Sequence, residues 1–243
     1  MKKNSLKFGL MSLALAASCA VFAQDAQRDV TPVEDEGAVG WTPIAIGLAS
    51  PVQLPWGSAQ WDVFGLDLGI LWADAPKMYG LGIGGVAMAT RDDMIGMQVS
   101  GLCNWATKDV CGMRATLGLN ATYGTTYGFE AGCFAYRPAD MWGVDVELLG
   151  SYLKNFWGWQ IGGIVNFTTE QSYGWSLCVG GNMARVAYGC QTAGIFNFTD
   201  ELHGCQIGLV NFAERCPWGF QIGLVNIIMD NKVKVLPLVN CYF

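Results

Sequence analysis

Apolar and polar residues alternate in short stretches along most of the chain, and a few polar residues separate one stretch from the next. Between Trp157 and Phe167, every second residue from Trp157 onward is apolar or glycine, whereas Gln160 and Asn166 fall in the other set. A period of two predicts β-strands with two different faces. One face is apolar with aromatic ends, and the other carries glycines, amides and acids. The pattern therefore predicts an all-β protein.

The strands recur at a nearly constant interval. Glycine returns in steps of 15 or 16 residues, at positions 65, 80, 96, 112, 128, 143, 158, 174, 189, 204 and 219. The fullest unit reads aromatic-G-x-Q-x-G-x-x-N-aromatic in Trp157–Phe167, and His203–Phe212 is the same unit shortened by one residue. So many consecutive units indicate a repeat architecture. We predict a single repeat-built β domain over residues 41–243.

A polar residue follows most of these glycines at the second position after them. Asp145 and Glu147 also alternate with apolar neighbours, so both carboxylates are expected on the inner face, solvated or neutralised by Arg114. These inward residues are predicted to line a narrow polar lumen. The predicted lumen-lining set is Asp67, Gln98, Arg114, Glu130, Asp145, Glu147, Gln160, Gln191, Gln206 and Gln221.

Aromatic residues at both ends of the apolar face are typical of strands that cross a lipid bilayer, because aromatic rings settle at the headgroups. The expected interfacial aromatics are Trp72, Tyr79, Trp105, Tyr127, Trp157, Phe167, Tyr173, Tyr188, Phe198, Phe212 and Trp218. The pattern favours an up-and-down transmembrane β-barrel of about 12 antiparallel strands. Its expected partners are the lipid bilayer and the barrel-assembly machinery.

A constant period with fixed Gly, Gln and Asn positions is also typical of a β-solenoid, in which identical residues stack from coil to coil. The two architectures give Gln191 different neighbours. A barrel places it near Asn182 or Asn211 on an adjacent antiparallel strand, whereas a solenoid stacks it on Gln206. A solenoid is also expected to hold its larger hydrophobic residues inside. The surplus of aromatics at both ends of one face therefore favours the barrel.

The first 23 residues have the features of a signal peptide: Lys2, Lys3 and Lys7, an apolar stretch, and a small-x-Ala site ending at Ala23. Lipid attachment at Cys19 is a weaker alternative. Residues 24–40 are expected to be disordered. After Ala23 no run of 18 apolar residues occurs, which argues against a membrane-spanning helix. We therefore expect an exported protein of the cell outer membrane or cell surface.

Charge and reactive residues argue against several classes of function. Removal of the signal peptide leaves 11 of the 14 Lys and Arg against 20 Asp and Glu, a balance unsuited to nucleic acid. The one histidine, His203, occupies an aromatic position of the repeat, and no C-x-x-C pair occurs. The eight mature cysteines are expected to be mostly unpaired. We predict no catalytic residue, cofactor or metal, and the sequence identifies no small-molecule ligand.

A family resemblance is carried by the last forty residues of the chain and by Ser50–Leu54 near its start. The stretch GCQIGLVNFAERCPWGFQIGLVNIIMDN from Gly204 and the ending LPLVNCYF from Leu236 resemble bacterial surface-repeat proteins first noted in spirochaetes, with units of G-x-Q-[IL]-G-[LV]-[VI]-N. The resemblance extends over residues 45–243 and implies an exported surface or envelope protein without an assigned activity. Units 112–150 depart from it, with charged residues where Gln is usual.

These observations predict a non-enzymatic outer-membrane or surface β-barrel that acts structurally or as a narrow small-solute channel. The alternative is a secreted surface binding or adhesion module built as a β-solenoid.

Overall fold

A computed structural model describes residues 38–242. The predicted signal peptide, almost all of the segment 24–40 and Phe243 lie outside the described residues. The described part is all-β, with one short 3-10 helix at Ser58–Gln60. Its strands are β1 (Gly40–Ala49), β2 (Val52–Leu54), β3 (Trp61–Ala75), β4 (Met78–Gly84), β5 (Ala87–Thr90), β6 (Met94–Ser100), β7 (Cys103–Ala106), β8 (Val110–Thr116), β9 (Leu119–Thr122), β10 (Thr126–Gly162), β11 (Val165–Cys178), β12 (Gly181–Ala193), β13 (Phe196–Ile207), β14 (Val210–Ile228) and β15 (Val235–Cys241).

Strands of successive repeats pair in parallel and in register. Gln191 of β12 lies beside Gln206 of β13, and the repeat glycines Gly189 and Gly204 lie beside each other. The same register links β3 to β4 and β4 to β6. Parallel pairing offset by one repeat is the arrangement of a β-solenoid, in which each repeat forms one coil. The prediction of an antiparallel barrel is therefore wrong, and the solenoid alternative is confirmed.

Each coil contributes to two stacks of strands. The Gln stack holds the Gly-x-Gln part of each repeat and includes β4, β6 and β8. The Asn stack holds the part around the repeat asparagine and includes β5, β7 and β9. Between the two stacks the chain bends, as at residues 163–164. This bend turns Ile164 outward, although strict alternation predicted it on the polar face.

The interior of the coils holds many polar side chains, and many large hydrophobic residues lie outside. Small apolar clusters around Met78, Leu202 and Phe156 are buried as well. All ten side chains predicted to line a lumen are buried within the coils. By contrast, Trp159 is 60% exposed and Leu117 is 84% exposed. The expectation that a solenoid would hold its large hydrophobic residues inside therefore holds for these clusters and not for the residues around the bend between the stacks. Amides can fill this interior because, as described below, they hydrogen-bond to identical amides in neighbouring coils.

Both ends of the stack carry an antiparallel strand. At the N-terminal end, β1 pairs in parallel with β3, and the short β2 folds back against β1. At the C-terminal end, β15 pairs antiparallel with β14. Pro237 lies in β15, at an edge where the lack of a backbone N–H is tolerated. These strands close the parallel stack at each end.

Candidate functional site

A column of asparagines runs along the inside of the Asn stack. Each amide nitrogen donates to the amide oxygen of the next coil, with Nδ2–Oδ1 distances of 2.8 to 3.0 Å in the C-terminal half. The bonded series is Asn166, Asn182, Asn197, Asn211 and Asn226. Asn197 also donates to the backbone carbonyl of Ile207, 2.8 Å away on the Gln stack. The ladder therefore joins coil to coil and one stack to the other.

A shorter glutamine ladder occupies the Gln stack. Gln206 donates to Oε1 of Gln191 at 2.9 Å, and Gln221 donates to Oε1 of Gln206 at 2.8 Å. The contact expected in a barrel, between Gln191 and Asn182 or Asn211, is thus replaced by a like-with-like bond. A buried amide without a partner costs about 1 to 3 kcal/mol, so self-pairing explains why the same amides recur.

Five buried charged residues lie in the middle of the stack, and Arg114, Glu130 and Asp145 among them occupy positions of the Gln column. The Asn ladder is interrupted in the same region by Ala135 and Ser151. Arg114 donates to Glu130 from Nε at 2.9 Å and from Nη2 at 2.6 Å. Arg137 donates to Glu130 and, at 3.0 Å, to Asp145, and its guanidinium lies 3.8 Å from Glu147. All five side chains are at most 2% exposed. The repeats in which charged residues replace the usual Gln therefore form a single charge network.

Arg137 is the member of this network that sequence analysis missed. We expected Arg114 to neutralise Asp145 and Glu147, but Arg114 bonds to Glu130 and Arg137 bonds to Asp145. Its position in the repeat could have identified Arg137 from the sequence. The corresponding inward position is occupied by uncharged residues in other coils: Thr90, Ala106, Thr122, Leu153, Thr168, Ala184 and Thr199. An arginine in a column of uncharged residues needs buried acids as partners.

Burial and charge move the pKa values of these acids in different directions. Burial tends to raise the pKa of Glu130, but the guanidinium groups of Arg114 and Arg137 hold it below its usual value. Burial, followed by repulsion from Asp145, raises the pKa of Glu147 to about 9. Burial also raises the pKa of Asp145, although the guanidinium of Arg137 opposes this shift. Asp145 and Glu147 therefore both hold their protons more tightly than exposed carboxyl groups do.

Glu147→Gln should stabilise the folded protein at alkaline pH. It should also reduce the dependence of the free energy of unfolding on pH. The unfolded chain releases this proton near pKa 4.5, whereas the folded protein holds it up to about pH 9. Within that interval the folded state binds more protons, so the free energy of unfolding falls as pH rises. Urea unfolding across the interval measures this slope, with Glu170→Gln as the exposed control. An unchanged slope in Glu147→Gln would show that Glu147 is already ionised in the folded protein.

A metal ion is the other ligand that this cluster suggests. Carboxylate oxygens of Glu130, Asp145 and Glu147 lie within 4.8 Å of one another. Arg137 contacts all three residues, however, and already supplies the positive charge that a metal would bring. Since the five side chains are also closed off from solvent, we interpret the cluster as a structural element of the interior.

Aromatic residues form two rows on the outer surface. The first row lies on the Gln stack and comprises Phe64, Tyr79, Tyr127, Trp142, Trp157, Tyr173, Tyr188 and Trp218; the second lies on the Asn stack and comprises Trp105, Tyr136, Tyr152, Phe167, Phe198 and Phe212. Rings of adjacent coils stack, as in Tyr173–Tyr188 with centroids 4.4 Å apart and Phe198–Phe212 at 4.8 Å. His203 continues the first row, stacked on Tyr188 at 4.5 Å.

All eleven predicted interfacial aromatics lie on this outer surface, since none of them is buried. Ten belong to the two rows. Trp72 lies apart from them, in register with Ala87 next to the bend between the stacks. The rows are therefore a real surface feature, although the strands that carry them pair differently from those of a barrel.

The bend between the stacks forms an apolar edge along the length of the solenoid. It consists of the bend residues and the adjacent outward positions, whose exposed fraction ranges from 36% for Ile161 to 84% for Leu117. Its large residues are Ile70, Leu71, Ile83, Val86, Val99, Leu102, Leu117, Leu148, Leu149, Ile161, Ile164, Leu177, Val179, Ile195, Ile207, Leu209, Val210, Ile222, Leu224 and Val225. In the described coils, the outward positions that lead from one aromatic row to the other across this edge carry no charged residue.

The opposite turn, which joins the Asn stack of one coil to the Gln stack of the next, forms a charged edge. Its residues are Asp62, Lys77, Arg91, Asp92, Asp93, Lys108, Asp109, Asp140, Lys154, Glu170, Arg185, Asp200, Glu201, Glu214, Arg215 and Asp230. Several are paired across coils, such as Lys108 with Asp92 at 2.7 Å and Arg185 with Glu170 at 3.0 Å. The cross-section of the coil is therefore amphipathic, with charged side chains at one edge and aliphatic side chains at the other.

All eight cysteines of the described residues are free thiols. Cys190 and Cys205 face each other in adjacent coils, and Cys178 and Cys216 are buried. No helix within the described residues is long and apolar enough to cross a membrane.

Comparison with known protein families finds no match for the chain, and comparisons with curated proteins and with solved structures find none either. The surface-repeat resemblance therefore rests on the repeat residues themselves.

Proposed function

We propose that this protein is a non-enzymatic structural element of a bacterial cell envelope, exported to the cell surface or outer membrane and held against a lipid bilayer. The observation that supports the proposal is the amphipathic cross-section. Amide ladders and a charge network occupy much of the interior, while about twenty large apolar side chains of the apolar edge face outward. The proposed function includes neither solute transport through a narrow channel nor the barrel-assembly machinery as a partner, because both require a β-barrel.

The exposed apolar residues are numerous enough to drive association. Soluble monomers rarely expose continuous apolar patches larger than a few hundred Å². Burying one leucine or valine side chain contributes about 1.5 to 3 kcal/mol. A few coils therefore provide enough free energy to hold the chain at a hydrophobic surface, and the described coils repeat the same edge along the entire stack.

Flotation with vesicles tests the proposal. The purified chain, mixed with phosphatidylethanolamine–phosphatidylglycerol vesicles and layered under a density gradient, should rise with the lipid, and salt should not release it. Salt resistance is expected because apolar contacts, unlike ion pairs, are not screened. A folded chain that stays at the bottom as a soluble monomer would contradict the proposal and would favour the alternative, a secreted binding or adhesion module.

A further inference from the structure

We infer that the solenoid enters only one leaflet of the bilayer, apolar edge first, with its long axis parallel to the membrane and its charged edge in water. The inference rests on the proposed function, since it specifies how the lipid is bound. It follows from the order of side chains around the coil, from the width of the two stacks and from the way the apolar surface wraps around the edge.

The order of side chains around one coil matches the polarity profile of a leaflet. On the Gln stack, the coil passes from Tyr173 in the aromatic row through Leu177 to Val179 at the apolar edge. On the Asn stack, it returns past Met183, which lies in register between Phe167 and Phe198 of the second row, to Arg185 at the charged edge. Aromatic rings favour the headgroup region, aliphatic side chains the hydrocarbon and charges the water. Both stacks therefore give the same depth order.

The width of the coil fits one leaflet and is too small for two. Six residues separate the first aromatic row from the apolar edge, which is about 20 Å of extended strand at most. On the Asn stack the distance is three to four residues, about 10 to 13 Å. The hydrocarbon core of a bilayer is about 30 Å thick, so each leaflet contributes about 15 Å. A strand whose aromatic residue lies at the headgroups therefore places its apolar edge near the middle of the bilayer.

A second copy of the chain is a poorer occupant of this surface than lipid. The apolar surface continues from Leu177 on the Gln stack, around Val179, to Val210 and Val225 on the Asn stack. A rigid flat partner that packs on one stack leaves the edge and the other stack exposed. A fluid hydrocarbon phase covers both flanks and the edge at once. The wrapped shape of the apolar surface therefore favours the bilayer.

Matched triple variants test the orientation. Val179→Lys, Ile195→Lys and Leu209→Lys together place three positive charges on the apolar edge of consecutive coils, at side chains that are 72%, 55% and 52% exposed. Glu170→Gln, Asp200→Asn and Glu214→Gln make the same net charge change at the charged edge of that region. The edge variant should bind vesicles at least tenfold more weakly than the parent, and the control should bind within threefold. Circular dichroism and size-exclusion chromatography establish that both variants are folded.

Chemical labelling provides a second measurement that does not depend on variants. An amine reagent that cannot cross bilayers should modify Lys77, Lys108 and Lys154 of chain added to the outside of sealed vesicles, because the charged edge stays in the outer water.

The outcomes separate the inference from the proposed function. Failure of the parent chain to bind vesicles contradicts the proposed function itself. Binding that the edge and control variants weaken equally, or protection of the three lysines, overturns the edge-first orientation while lipid binding stands. A parent chain that forms dimers in the absence of lipid, and edge variants that are monomeric, would assign the edge to contacts between copies and also overturn the inference.

Discussion

Gly158→Ala should destabilise the folded protein by at least about 3 kcal/mol. Gly158 has a φ of 137°, in a region that residues with a Cβ rarely adopt. A Cβ at this position would also overlap the carbonyl oxygen of Gly143 in the preceding coil. Both effects are unfavourable, and relief of the overlap would require the two strands to separate. Urea unfolding monitored by circular dichroism measures the loss.

Gly57→Ala is the matched control for this change. Gly57 also has a positive φ, 85°, but nothing lies within 4 Å of the position that its Cβ would occupy. The left-handed conformation alone costs about 1 to 2 kcal/mol. Equal losses in the two variants would show that contact between coils does not determine which residue occupies the repeat glycine position.

Arg137→Met should cost about 3 to 5 kcal/mol, because it removes the shared cation from three buried carboxyl groups. The matched control is Arg185→Met. Arg185 pairs with Glu170 at 3.0 Å, but the two side chains are 61% and 44% exposed, so the expected loss is below about 1 kcal/mol. Free energies of unfolding from urea titrations compare the two variants.

The loss in Arg137→Met should also depend on pH. Without Arg137, the folded-state pKa values of Asp145 and Glu147 rise further above those of the unfolded chain, since the attraction that lowers them is gone. Acids with a raised pKa destabilise the fold increasingly as pH rises through the unfolded pKa. The difference between parent and variant should therefore shrink in acid. A difference that grows in acid would contradict the role assigned to Arg137.

The sequence was informative about which side chains share a face. The spacing of the repeat glycines and the alternation around Gln160 placed the amides inside and the aromatic residues outside, as the structure has them. It was misleading about which strands are neighbours. A period of two describes a single strand, and it is the same whether the next strand runs parallel or antiparallel. The barrel was then predicted because aromatic residues lie at both ends of the apolar face.

The information that distinguishes the two architectures was present in the identity of the repeated residues. Gln191 and Gln206 recur at the same place because each is the best partner for the other in a parallel, in-register stack. An antiparallel meander sets the start of one unit beside the end of the next, and a fixed amide at both places is then unnecessary. The buried charges were harder to assign, because Arg137 reaches Glu130 and Asp145 across the coil, at a distance that the repeat spacing does not reveal.

The antiparallel strands β2 and β15 have a consequence for the size of the particle. A parallel stack of like coils has no intrinsic end, since its last strand offers the same backbone groups as every strand before it. β2 covers the part of β1 from Ile46 to Ala49, and β15 covers β14 from Phe220 to Ile227, so these parts of the end strands offer another copy no free edge. Within the described residues, the parallel stack therefore ends in a short antiparallel strand on each side, and such ends disfavour its growth into fibrils.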